Sequence, residues 1–165
     1  MAHNADIRVR RPDEHDDLIS RLTTKEGGPF PGYWQVLVFA AALGWSRGRH
    51  DPFEKTGEAI RYGLFGASAT VSAVIDSMGV LAHPNDAGIM ADDRLPERIK
   101  VFEEYANGGL SIIRGELNSG AHVRPMDVIL NLCQRGTAHA ESMMQDLGLR
   151  PPAEPASFKD PDFEP

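Results

Sequence analysis

The chain has a single cysteine, Cys133, in 165 residues, so no disulfide can close within it, which fits a reducing cytoplasm. Long apolar runs are missing too: the longest, residues 36–45, falls short of the roughly eighteen residues of a membrane span and contains Gly44. The first ten residues, MAHNADIRVR, lack the apolar stretch of an export signal. A cytoplasmic protein without membrane contact is therefore expected. Positive charge is in deficit, with 17 Lys and Arg against 24 Asp and Glu and a net charge of -7. That balance excludes a protein held to DNA by its overall field, so any such contact needs a local basic patch. Hydrophobic residues still make up 41% of the chain, enough to bury a core and to exclude wholesale disorder.

Enzyme signatures are also missing. The chain contains no GxxxxGK[ST] loop, no GxGxxG and no GxSxG elbow. Its six histidines (His3, His15, His50, His83, His122 and His139) never fall at HxH or HExxH spacing, and one cysteine cannot supply a thiolate zinc site. Glu54 and Lys55 are adjacent, which fails the D/E-x-K spacing of a metal-dependent nuclease, and Asp92-Asp93 have no lysine nearby. Glu103-Glu104 read as the solvated face of a helix, and Cys133, beside Leu132, as a small core residue. No catalytic residue, metal site or cofactor is expected, and the chain reads as a non-enzyme.

What is present is mainly helical. Residues 6–10 (DIRVR) alternate with period two, with Ile7 and Val9 facing one way and Asp6, Arg8 and Arg10 the other. Pro12 then opens a helix whose early acids, Asp13, Glu14, Asp16 and Asp17, complement the dipole; Leu18, Ile19 and Leu22 form its apolar stripe. GGPFPG at residues 27–32 breaks the chain. Residues 33–47 resume as a helix apolar nearly all round, hence central or at an interface. Residues 51–57 read as a loop, 58–65 as a short extended piece and 68–81 as a third helix. Leu95, Ile99, Phe102, Ala106, Leu110, Ile113 and Leu117 share one face of a long helix, in which Gly108-Gly109 should cost about 2 kcal/mol and favour a kink or break. Residues 125–134 and 137–147 read as two short helices. One mostly helical domain is thus expected over residues 1–149, with a strand–helix–helix part at 6–49 and a helical part at 66–149. The tail, residues 150–165, holds five prolines and four acids and reads as a disordered acidic appendage.

Strand, helix and helix in that order outline a ribbon-helix-helix module, in which two chains pair their strands into a ribbon that enters the DNA major groove. Arg8 and Arg10 would be its outward readers. Against a standard reader stand the long proline-rich loop, the early acids, and Gly32 where a hydroxyl would cap the helix and meet a phosphate. A second basic cluster, Arg47, Arg49, His50, Lys55 and Arg61, could join Arg8, Arg10 and Arg11 if the two extended pieces lie side by side. The candidate DNA-binding residues are accordingly Arg8, Arg10, Arg11, Arg47, Arg49, Lys55 and Arg61. The alternative for each is a solvated or dipole-matched surface cation. The aromatic residues Trp34, Phe39, Trp45, Phe65, Phe102 and Tyr105 fill either a monomer core or a partner groove, the core being the default.

Three stretches carry a family likeness: RRPDEHDDLI with the strand before it, VLVFAAALGWSRGRHDPFEKTGEAIRYGLF at residues 36–65, and ERIKVFEEYANGGLSII at residues 97–113. Together they resemble the DNA phosphorothioation-associated protein 4 (Dnd system-associated protein 4) family over most of residues 7–133. GEAIRYGLFG, residues 57–66, is also similar to a stretch of the small E subunit of the Dnd modification complex, a ribbon-helix-helix-like DNA-binding protein. The chain departs from the family at Gly32, where a polar residue commonly precedes the tyrosine. The resemblance implies an accessory of systems that place sulfur in the DNA backbone and use the mark against phage. It implies other Dnd-system proteins and DNA as partners and carries over no catalytic residue, while a ribbon paired between chains would need a second copy of the chain. The alternatives are a ribbon-helix-helix transcriptional regulator and a protein-interaction adaptor that never touches DNA.

Overall fold

The computed structural model describes residues 7–120 and 123–148. Its centre is the long amphipathic stretch, which forms one unbroken helix, α5 (Leu95–Asn118), with Pro96 in the first turn. All seven residues of the apolar face are buried, Phe102, Leu110 and Ile113 completely. Each of the larger ones contributes about 2 kcal/mol by leaving water.

The other elements are arranged around this helix. β1 (Arg8–Val9) leads through a 3-10 turn into α1 (Asp16–Arg21), and α2 (Tyr33–Ser46) follows the glycine–proline break. After a connection come β2 (Ile60–Arg61), α3 (Gly63–Gly66) and α4 (Ala69–Ala82), the last capped at its start by the Ser68 hydroxyl. α6 (Pro125–Asp146) closes the described chain. The chain is thus mainly helical, with a short two-stranded antiparallel element.

α2 and α5 meet closely. A methyl group on Gly109 would lie 1.8 Å from the Ala40 carbonyl oxygen, and one on Gly44 would lie 2.1 Å from that of Tyr105. The adjacent Gly108 faces the Arg49 carbonyl in the same way. The glycine pair therefore does not kink or split the helix as expected. The close approach of the backbones, with the van der Waals contact it allows, offsets the local helix cost of glycine. On another face of α5, α4 buries Val71, Ile75 and Met78. Arg98 runs beneath α4, donating to Asp76 at 2.8 Å and to the carbonyls of Ile89 and Ala91 at 2.5 and 3.0 Å.

Three further expectations need correction. Of residues 58–65 only Ile60–Arg61 is extended, and Phe65 turns into α3, where it is fully buried against Phe102 with ring centroids 5.8 Å apart. The two short C-terminal helices are one, because no break occurs at Gly136. Cys133 is exposed. Contacts divide the chain into two units, residues 1–129 and 130–165, and the elements from β1 to α5 all belong to the first. The acidic tail lies outside the described residues.

Candidate nucleic-acid interface

The alternation read in residues 6–10 holds for Arg8, exposed, and Val9, fully buried. The strand's partner is in the same chain: Arg8 lies opposite Arg61 and Val9 opposite Ile60, antiparallel. Backbone bonds continue the pairing on both sides. Tyr62 N–H donates to the Ile7 carbonyl, Gly57 to Arg11 and Asp13 to Lys55, and a bridge joins Pro12 to Thr56. From Val9 to Pro12 is three steps on one strand, while Ile60 to Thr56 is four on the other. The extra residue makes this a bulged ribbon with added twist.

Since Ile7 and Tyr62 share a backbone bond, ladder alternation makes Arg8 and Arg61 a non-hydrogen-bonded pair. Such pairs bring Cα atoms to about 4.5 Å, so two exposed arginine stems rise side by side. Neither forms an ion pair with any described residue. Like charges directly opposite are destabilising on a ribbon, and an anion between them would relieve the repulsion.

The other candidates are placed differently. Strand alternation stops after Val9, and Arg10 is gripped by Glu103 of α5. Glu103 accepts from the Arg10 backbone N–H at 2.6 Å and from its Nε at 2.8 Å. The Arg10 guanidinium also covers the Phe53 ring at 5.2 Å. Arg11 is buried, donating to the Glu58 carbonyl at 2.6 Å, pairing with Asp16 at 3.1 Å and lying over the Tyr33 ring. Arg49 pairs with Asp51 at 2.9 Å. Arg47 and Lys55 are exposed, the latter beside a cleft of about 400 Å³ that also presents Asp13, Glu14 and Glu54. The ribbon therefore brings Arg8 and Arg61 together and leaves Arg10, Arg11 and Arg49 with partners inside the chain.

Glu103 and Glu104 are not the solvated face they were expected to be. Glu103 is 2% exposed, and Glu104 is buried beside His50, whose Nε2 lies 2.8 Å from its carboxylate. The ribbon and the segment after α2 cover that side of α5, a tertiary fact that helix periodicity does not encode. Burial pushes the Glu103 carboxyl above its ordinary range, against the pull of the bonds from Arg10.

A second polar network ties the start of the chain to the end of α5. Arg114 donates through Nε to His15 Nδ1 at 3.1 Å and through Nη2 to Asp17 at 2.7 Å and the Glu14 carbonyl at 2.8 Å. His15 Nε2 faces the Ser111 hydroxyl at 3.3 Å. Burial, then the Arg114 charge, lowers the His15 pKa, so the ring is held neutral. The histidine, the carboxylates and the arginines of both networks are engaged in internal bonds. Among the described residues no group of three or more His, Cys, Asp or Glu could hold a metal ion, and no helix is long and apolar enough to cross a membrane.

Sequence comparison decides the relationship. The model of the family DNA sulphur modification system-associated protein 4 matches residues 8–149, from the first ribbon arginine to beyond α6. The chain belongs to that family. No curated protein and no solved structure matches it. A member of the DNA sulphur modification system-associated protein 4 family is thus an associated protein of a DNA sulphur modification system. Its two strands, its buried Glu103 and its Arg8–Arg61 pair all lie within the matched region.

Proposed function

We propose that this family member is a non-enzymatic accessory of the DNA sulphur-modification system that contacts the DNA backbone through its ribbon. The reading rests on Arg8 and Arg61, two exposed and uncompensated guanidiniums on directly opposed strand positions. Guanidinium is suited to phosphate oxygens because it offers parallel donors in one plane. Arg10 and Arg11 then act as anchors, fixing the ribbon to α5 and α1 so that the exposed pair is held in place. With a net charge of -7 the contact must be local and salt-sensitive. A cytoplasmic setting and a role in anti-phage defence belong to the same reading.

Fluorescence anisotropy with sulfur-modified and unmodified duplexes, across a salt series, tests it. The expected result is binding whose logarithmic salt slope falls by about two units when Arg8 and Arg61 are both changed to alanine. Binding unaffected by that double change, or no binding at low salt, rejects the ribbon. An acidic adaptor for another protein of the same system is the second reading, favoured by the net charge. Recovery of one such protein on the wild-type chain, undiminished by the double alanine change, would select it.

A further inference from the structure

The ribbon offers DNA very little, and what it offers is specific in its spacing. Of the two residue pairs in the ladder, Arg8–Arg61 faces outward, while Val9, opposite Ile60, is fully buried. The positions two residues to either side of Arg61 are Ala59 and Gly63, both small, and a methyl group on Gly63 would meet nothing within 4 Å. On β1 the next outward position would be Arg10, which is turned to Glu103 instead. A ribbon reads a run of base edges with several alternating side chains, and one pair is too few for that. What remains is two like charges set side by side on a fixed frame.

Spacing decides what the two can reach at once. Their Cα atoms lie about 4.5 Å apart, and each stem carries its guanidinium on the order of 6 Å further at ordinary bond lengths. Splayed apart, the guanidiniums span up to roughly 16 Å. Phosphates face each other at about 12 Å across the minor groove and about 18 Å across the major groove, once their radii are added to the groove widths. The pair therefore reaches both strands over the minor groove and only one over the major. Surrounding charge limits the footprint in the same sense. Glu58, with 88% of its side chain exposed, precedes Arg61 by three residues, and Asp13, Glu14 and Glu54 border the cleft beside Lys55. A contact drawn out along the ribbon would set these carboxylates against phosphate, whereas a crossing confined to the arginine pair does not.

We propose that Arg8 and Arg61 bridge the two strands of a duplex across a narrow minor groove, one guanidinium on each backbone. This rests on the reading that the ribbon contacts the DNA backbone, and it names the DNA. The ligand is duplex of A·T character, because A-tracts narrow the minor groove and deepen its negative potential. Mutual repulsion already drives the two guanidiniums apart, which is the direction a bridge requires. A narrower groove brings the phosphates within reach of less extended side chains, so selection comes from groove width and not from base edges.

Anisotropy of the full chain at low salt, on three duplexes of equal length, tests this. One is an A-tract, one is G·C-rich, and the third is the G·C-rich duplex with inosine in place of guanosine. Inosine removes the minor-groove amino group and keeps the major-groove acceptors of guanine. The expected result is that the A-tract and inosine duplexes bind about tenfold more tightly than the G·C-rich one. Arg8→Ala and Arg61→Ala should each bring the three affinities to within about twofold of one another, because a bridge needs both ends. Equal binding of all three duplexes by the unaltered chain would overturn the bridge and leave the backbone contact standing. So would a preference for guanosine over inosine, or a preference that survives either single change. No binding to any duplex would remove the backbone reading and the bridge together.

Discussion

Glu103 of α5 holds Arg10 at the end of β1 through both backbone and side chain, 93 residues away along the chain. The carboxylate is 2% exposed and Arg10 is 40% exposed in its side chain, so the pair closes the ribbon onto the helix with only the cation reaching water. Removing the acid leaves a backbone donor and a guanidinium without their acceptor. Glu103→Ala should therefore lower unfolding stability by about 2 kcal/mol, read from urea denaturation, while Glu103→Gln, which keeps one acceptor oxygen, should cost less than half of that. Equal losses would mean that the charge, not the hydrogen bonds, carries the contact.

Two glycines of α5, Gly109 buried and Gly115 exposed, make a sharper contrast. A methyl group on Gly109 would collide with the Ala40 carbonyl, whereas one on Gly115 meets nothing within 4 Å. Gly109→Ala should destabilise by about 3 kcal/mol or more through separation of α2 from α5. Gly115→Ala, at an exposed helix position, should stabilise by about 0.5 to 1 kcal/mol. Thermal melts of the two single variants check both signs at once.

Local pattern made much of this legible in advance. The stripe from Leu95 to Leu117 and the inward Val9 are set by periodicity and are buried as expected, whereas α2, apolar nearly all round, buries Val36, Leu37, Ala40, Ala41, Leu43 and Gly44 and leaves Ala42 exposed. The family likeness likewise agrees with the matched family. What periodicity could not show is which faces of α5 a distant segment would cover. Glu103-Glu104 look solvated in the sequence because what covers them comes from far earlier in the chain, the ribbon at Arg10 over Glu103 and the segment at His50 over Glu104. The Gly108-Gly109 pair looked like a defect because its benefit belongs to the facing helix. Period-two alternation places Arg10 on the outward face with Arg8, and Arg11 joins them as a neighbour, but the strand ends at Val9 and both turn to partners inside the chain. Residues 58–65 read as one extended piece, of which only Ile60–Arg61 pairs with β1, because Tyr62 already turns the chain into α3.

His15 sets an acid limit to stability. Its folded pKa lies below the ordinary 6.5, because burial and the neighbouring Arg114 both oppose a second proton on the ring. A depressed pKa means that the unfolded chain binds the proton first as pH falls. The stability gained from the neutral ring is therefore complete above about pH 6.5 and is lost as pH drops through the folded value. His15→Gln should flatten the stability profile over that interval while lowering stability at neutral pH, since Ser111 and Arg114 lose an ideal partner. Denaturant midpoints measured from pH 7.5 to pH 5 on both chains would show it, and a profile unchanged by the substitution would assign the acid sensitivity elsewhere.

Arg61 distinguishes a cation kept for the fold from one kept for a ligand. Opposite Arg8, with no carboxylate to neutralise either, it weakens the ribbon. Arg61→Glu converts that repulsion into a cross-strand ion pair at an exposed site, so folding stability should be unchanged or rise by about 0.5 kcal/mol. The same change places an acid where the duplex backbone is proposed to sit, and DNA affinity at low salt should fall by about tenfold or more. Opposite movement of the two readouts is the signature of a residue retained against stability for binding. If affinity and stability fell together, Arg61 would be part of the ribbon's architecture, and the phosphate contact would have to be sought away from it.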